Sequence, residues 1–225
     1  MNPLYFRFQS VLQQIREAEQ QAQRPTDSVK LLAVSKTQSP IRIAQLYHCG
    51  QRHFGENYLQ EAITKQAALS AFQISWHFIG PIQSNKTKAI ASSFAWVHSV
   101  DRWKIAQRLN EQRPAHLPPL NICLQVNISH EASKSGIELN ELADLVKAVS
   151  ELPNLRLRGV MAIPSAESDP QLQRLPYQRL YQTVQALKNR NLQTFSFGMS
   201  GDLAAAIAEG ATIVRIGTAL FGQRN

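Results

Sequence analysis

The sequence predicts an α/β protein: one (β/α)8 barrel of the TIM type, with an extra N-terminal helix, filling residues 1–225 as a single domain. Three observations lead there. Eight short runs of strand character recur along the chain, seven segments of helical period separate them, and an amphipathic segment precedes the first run. Alternation of this kind favours a parallel sheet with helices outside, and 225 residues fall within the range of one closed barrel. A doubly wound open sheet is the structural alternative.

The elements follow in order. Val11, Leu12, Ile15, Ala18 and Ala22 share one face of the opening helix. The first strand, Lys30 to Lys36, contains the continuous apolar run Leu31 to Val34, the pattern of a strand covered on both faces. Ser39 and Pro40 then read as an N-cap and first helical position before Ile41 to Tyr47. Strands at His53 to Glu56, Trp76 to Ile79 and Trp96 to Val100 alternate with helices at Tyr58 to Leu69 and Ser84 to Ile90. Asp101 is a cap candidate for the helix Arg102 to Asn110, and Pro118-Pro119 marks a loop. Strand five, Leu120 to Ile128, precedes a helix at Leu139 to Val149, and strand six spans Leu157 to Ile163. Pro176 reads as the start of a helix over Tyr177 to Lys188. Strand seven, Thr194 to Met199, leads through the cap candidate Asp202 into Leu203 to Glu209, where Gly210 suits a left-handed C-cap. Thr212 to Ile216 is the eighth strand.

Composition narrows the function. No secretory leader or membrane-length apolar run is evident, and Cys49 and Cys123 lack metal-like spacing, so two reduced thiols in the cytoplasm are expected. The net charge is +8, but its densest groups, Lys86 with Lys88 and Arg102 with Lys104 and Arg108, are short and lack interleaved aromatics. That pattern speaks for solubility and against nucleic acid. Neither Cys nor His forms a closed zinc set.

In a barrel the strand C-termini carry the active-site loops. Lys36, Glu56, Asn57, His77, Asn127 and Met161 lie at or near such ends. Glu56 and His77 are a candidate acid/base pair, although a histidine on a strand is more often a satisfied core residue. In "FGMSGD", Gly198, Ser200 and Gly201 form a small-residue turn before a helix, and "RIGTAL" places Gly217 and Thr218 after strand eight, where barrels often hold phosphate. Arg215 sits within the apolar strand "TIVRIG" and requires an acceptor, either a carboxylate or a ring nitrogen lone pair on a ligand. A lysine, a phosphate site and a buried arginine together describe a site for a phosphorylated carbonyl compound that forms a Schiff base. A cofactor carrier, an amino-acid racemase and a sugar-phosphate aldolase all fit that description.

The ordered segments "AVSKTQ", "FGENYLQEA", "WHFIGPIQSNK", "HSVDR", "LQVNISHEASKSGI", "RGVMAIP" and "GMSGDLAAAIAEGATIVRIGTALFG" span nearly the whole chain. In them the sequence resembles the pyridoxal phosphate homeostasis protein family, the YggS/PROSC type. The resemblance implies a barrel similar to the N-terminal domain of alanine racemase, with pyridoxal 5′-phosphate (PLP) on Lys36 as a Schiff base. It places Ser200, Gly217 and Thr218 at the phosphate with backbone help from Met199, Arg215 at the pyridine nitrogen, and Asn57 beside the ring. It further implies a noncatalytic monomer that balances vitamin B6 and amino-acid pools, with PLP-dependent apoenzymes as partners. The related racemase draws a second base from an additional C-terminal domain, whereas this sequence stops at Asn225, just past the barrel.

Overall fold

In the computed structural model, which describes residues 3–129 and 135–223, eight parallel strands close into a barrel in the order β1 to β8, with β8 pairing back onto β1. The strands are β1 (Lys30–Val34), β2 (His53–Glu56), β3 (Ser75–Phe78), β4 (Trp96–Val100), β5 (Leu120–Val126), β6 (Leu155–Ala162), β7 (Thr194–Ser196) and β8 (Ile213–Ile216). Each is linked to the next by an outer helix: α2 (Pro40–His48), α3 (Leu59–Ala68), α4 (Thr87–Ser93), α5 (Trp103–Gln112), α6 (Leu142–Ser150), α7 (Pro170–Ala186) and α8 (Leu203–Ala208). The preceding helix α1 (Pro3–Gln21), a final turn α9 (Thr218–Phe221) and two 3-10 turns at Ser84–Lys86 and Leu139–Glu141 complete the described elements. The predicted barrel is therefore observed.

Burial explains the closure. Short strands rich in Leu, Val, Ile and Phe are covered on both faces, and Ala33, Phe54, Val97, Ile122, Val160 and Val214 are fully enclosed. Helix α1 buries Leu4, Phe8, Val11, Ile15 and Ala18 against the barrel near α8 and α9. Its Glu19, also buried, accepts hydrogen bonds from Val29 N–H at 2.7 Å and from the Ser28 hydroxyl at 3.2 Å, tying the helix to the entry of β1. Arg24 donates to the carbonyls of Ile207 (3.0 Å) and Ala211 (2.6 Å), supplying partners to the end of α8.

Several boundaries differ from the sequence reading, each for a local reason. Helix α7 begins at Pro170, with Asp169 as N-cap accepting from Gln171 N–H at 2.7 Å. Pro176 thus lies inside the helix rather than starting it. Aspartate followed by proline was the stronger start signal, because the cap supplies the acceptor that the first amides lack. Asp101 does not cap α5; it pairs with Arg102 at 2.6 Å, and Arg102 occupies the cap position. Strand β7 stops at Ser196 instead of Met199, since Gly198 turns the chain at φ +82°. Gly210 is left-handed at φ +95° after α8, as expected of a C-cap.

Candidate functional site

The site begins where β1 ends. Val34 is the last strand residue, and Lys36 sits in a turn closed by Gln38 N–H on the Ser35 carbonyl at 3.0 Å. Thr37, the residue after the lysine, has φ +64°, a conformation costly for a β-branched side chain. Its amide is held by Glu61 Oε1 at 2.5 Å. Ser35 is held on three sides: its N–H on the Gly55 carbonyl (2.9 Å), its hydroxyl on Glu56 Oε1 (2.6 Å), and its carbonyl under Lys65 Nζ (2.6 Å). Lys65 itself is buried and ion-paired to both Glu56 (2.8 Å) and Glu61 (2.5 Å). Both neighbours of Lys36 in the chain are therefore clamped by one buried charged cluster. Burial pushes the Glu56 carboxyl up, opposed by its hydrogen bonds to Lys65 and Ser35.

Beside this turn, Asn57 follows β2. Its backbone lies so close to Gly80 that a Cβ there would meet Asn57 O at 2.2 Å, so glycine is required for the ends of β2 and β3 to approach. Asn57 Oδ1 is buried with no hydrogen-bond partner among the described residues.

On the other side of β8, which pairs with β1, the β7–α8 loop is pinned from beneath. Asp202 accepts from Met199 N–H at 2.6 Å and from the Tyr177 hydroxyl at 2.7 Å, while Gly198 N–H donates to the same hydroxyl at 3.3 Å. Burial first, and then the Asp202 charge, pushes the Tyr177 phenol up, keeping it a neutral donor. This arrangement leaves Ser200 and Gly201 exposed at the strand end. On the adjacent β8 the exposed Thr218 follows Gly217, the cap of α9. Arg42 of α2 donates to the Phe221 carbonyl and to Gln38 at 2.5 Å, joining the Lys36 loop to α9.

Arg215 lies between these halves, 5% exposed. Among the described residues its hydrogen bonds go to uncharged oxygens. Nη1 donates to the Ser196 carbonyl and to Ser196 Oγ (2.9 Å), and Nη2 donates to the Ala162 carbonyl (2.9 Å). A guanidinium has five N–H donors, so two remain that no described residue accepts. From Ser196 a line of hydrogen bonds continues through the barrel interior to His98 (2.8 Å), His77 (2.9 Å) and His53 (3.0 Å). Burial lowers the His98 pKa to about 3, His53 to about 4 and His77 well below its ordinary value.

Residues 8–225 match the family model described as alanine racemase, N-terminal domain. A pyridoxal phosphate homeostasis protein of Pseudomonas aeruginosa is 59% identical over 215 residues, covering 96% of this chain and 93% of that one. The chain belongs to the pyridoxal phosphate homeostasis protein family. Another similar structure is PipY of Synechococcus elongatus with PLP bound, at TM-score 0.79 and 37% identity over 92% of this chain and 98% of that one. Alanine racemase of Corynebacterium glutamicum shares the fold alone, at TM-score 0.69 and 15% identity, with this chain covering 62% of it.

For this member of the homeostasis family, the residues expected at the site all fall at the C-terminal mouth or just beneath it. Lys36 and Asn57 lie on the β1–β2 side, and Met199, Ser200, Gly217 and Thr218 on the β7–β8 side, with Arg215 below. The Met199 amide donates to Asp202 Oδ1 at 2.6 Å. One expectation changes: the candidate pair of Glu56 and His77 does not form. Glu56 belongs to the Lys65 cluster and His77 to the histidine line. Residues 130–134 of "LQVNISHEASKSGI" lie outside the described residues. Sequence reading missed Lys65, Glu61 and Tyr177. The spacing of Glu61 and Lys65 was a readable helical pair, but only the fold shows that it reaches back to Ser35.

Replacing Lys65 with alanine leaves Glu56 buried without its cation, so the folded state should lose about 3–5 kcal/mol. Urea unfolding of Lys65→Ala against the parent chain measures this directly. The buried histidines also set a pH dependence. Their folded pKa values lie below the unfolded value near 6.5, so the unfolded chain binds more protons across the interval beneath it. Stability should therefore fall as pH drops below about 6.5, with each fully buried histidine contributing about 1.4 kcal/mol per pH unit. In His98→Asn the slope of unfolding free energy against pH, measured over the same interval, should decrease by about one proton's worth.

Proposed function

We propose that the protein binds PLP at Lys36 and serves intracellular PLP homeostasis as a holder of the cofactor rather than as a catalyst, with residues 1–225 acting as one barrel domain. The observation that carries this reading is a clamped lysine at the end of β1, beside the paired strand β8 whose buried arginine keeps two uncommitted donors. The donor set suits the cofactor. Lys36 supplies an amine for its aldehyde, Ser200, Thr218 and the Gly217 turn supply donors for a phosphate, Arg215 suits a ring nitrogen lone pair, and Asn57 has an unused acceptor beside Lys36. When bound, PLP supplies a carbonyl that condenses reversibly with amines and a ring that can act as an electron sink.

The roles of the chain's own groups follow from their chemistry. The Ser35–Thr37 clamp restricts where the Lys36 backbone can go, so the lysine meets its partner from one direction. Tyr177 and Asp202 hold the β7–α8 loop open at Ser200. Arg215 is donor-only, so it favours an unprotonated ring nitrogen and weakens the electron sink that carbanion chemistry requires. Cys49 and Cys123 are free, consistent with residence in the cytoplasm, where PLP-dependent apoenzymes would be the recipients and the monomeric barrel the working unit.

Borohydride reduction of the PLP-treated protein should leave a pyridoxyl group on Lys36, located by peptide mass mapping. Label on another lysine with Lys36 unmodified would refute the assignment. Thr218→Asp, which sets a carboxylate against the phosphate, should retain far less cofactor after dialysis, whereas Lys36→Ala should lose the covalent label and keep weak binding. A second measurement addresses turnover. Single enantiomers of alanine incubated with the loaded protein in deuterated water should show no rapid α-deuteration with inversion. Fast exchange that disappears in Lys36→Ala would replace the holder with a racemase.

A further inference from the structure

The hydrogen-bonded line Arg215, Ser196, His98, His77 and His53 crosses the barrel. Ser196 and His98 belong to β7 and β4, which are separated in the sheet by two strands, so their 2.8 Å contact passes through the interior. The line begins at a fully buried cation and ends at His53, half-buried at the start of β2. Trp96 stacks on His77 with ring centroids 5.5 Å apart, fixing the plane of the middle ring.

The chemistry of the donors gives this line a direction. Arginine can only donate, so Ser196 Oγ accepts from Arg215 at 2.9 Å. A hydroxyl has a single hydrogen, and the acceptor in reach among the described residues is His98 Nδ1. His98 must then be neutral with its proton on Nε2, which faces His77 Nδ1 at 2.9 Å. The same step repeats: His77 Nε2 donates to His53 Nδ1 at 3.0 Å, with the Ser75 hydroxyl a longer second contact at 3.4 Å, and the proton of His53 sits on its outer nitrogen. The reverse assignment would leave the Ser196 hydrogen without an acceptor in a buried site, a penalty that the observed order avoids.

We propose that Ser196, His98, His77 and His53 are positioning residues for Arg215, forming a one-way donor relay of three neutral Nε2–H histidines whose polarity the guanidinium sets. The relay holds one edge of the guanidinium on Ser196 and so determines where its two uncommitted N–H groups point. Each bond polarises the next, making Ser196 Oγ a better acceptor for the cation. The charged groups near the imidazoles are Lys30, beside His53 and His77, and Arg215, beside His98; both are cations, and both disfavour protonation of the rings. Asp202, Tyr177 and Cys123 face Arg215 from the other elements around it. Extending this role to the cofactor rests on the proposal that Arg215 meets the ring nitrogen.

Histidine ring NMR on the ligand-free protein tests the relay independently of PLP. All three rings should show Nε2–H with bare Nδ1, and His77 and His98 should not titrate between about pH 8 and about pH 5. Ser196→Ala removes the inner donor and should release the tautomers of both His98 and His77. His53→Gln, at the half-buried outer end, should leave both unchanged, because the order is imposed from Arg215. A proton on Nδ1 of His98 or His77 in the parent chain, or tautomers that respond to His53→Gln but not to Ser196→Ala, would overturn the proposal. In PLP-loaded protein, Ser196→Ala should shift the visible absorption band and speed cofactor loss on dialysis by about three- to tenfold, the effect of one weakened hydrogen bond. An unchanged band and unchanged retention would reject the positioning role. If the parent chain fails to take up PLP, the cofactor assignment falls while the ligand-free tautomers still decide the relay.

Discussion

A guanidinium buried in the barrel, with no carboxylate bonded to it among the described residues, constrains the rest of this structure. Arg215 is held there by oxygen acceptors that converge on it from β6 and β7, through the Ala162 and Ser196 carbonyls and the Ser196 hydroxyl. Those carbonyls must turn inward at the ends of their strands. The hydroxyl in turn needs an acceptor, and meeting that need commits His98, His77 and His53 on three further strands. One polar group thus couples six of the eight strands.

The mouth of the barrel is organised around a second buried charge. Lys65 reaches from α3 to the Ser35 carbonyl and is balanced by Glu56 and Glu61. Breaking such a cluster costs more than forming it gains, because whichever ion is left cannot be rehydrated. Its role is accordingly geometric: it holds a turn in which Thr37 adopts a left-handed conformation that the residue would not choose alone. Lys36 is placed by what is done to its two neighbours.

The two halves of the mouth are built differently. On the β1–β2 side, charge and close backbone approach fix the residues, as at Gly80 against Asn57. On the β7–β8 side, a buried phenol and one carboxylate hold a loop whose Ser200 and Gly201 stay exposed. A clamped turn carrying Lys36, close to an open set of small donors, suits a ligand that is gripped at one end and anchored chemically at the other.

Alternating apolar runs and helical periods determined a parallel α/β sheet from the sequence, because a strand buried on both faces can hardly be written any other way, and the count of eight strands favoured its closure into a barrel. Lys36, Arg215 and the "GMSGD" and "RIGTAL" segments were legible for a related reason: a charge within or just after an apolar run, or small residues between a strand and a helix, breaks the pattern. Helix α7 was legible at its Asp169-Pro170 start, yet Pro176 drew the reading inward, since proline is also tolerated where an exterior helix can yield. The partners of these residues were not legible. Ser196 and His98 are 98 positions apart, and Lys65 and Ser35 are 30 apart. No local pattern records that one will meet the other. Sequence periodicity specifies which face a side chain occupies, whereas barrel closure decides what lies across from it, and hydrogen-bond direction, ion pairing and the depressed histidine pKa values all depend on that second fact.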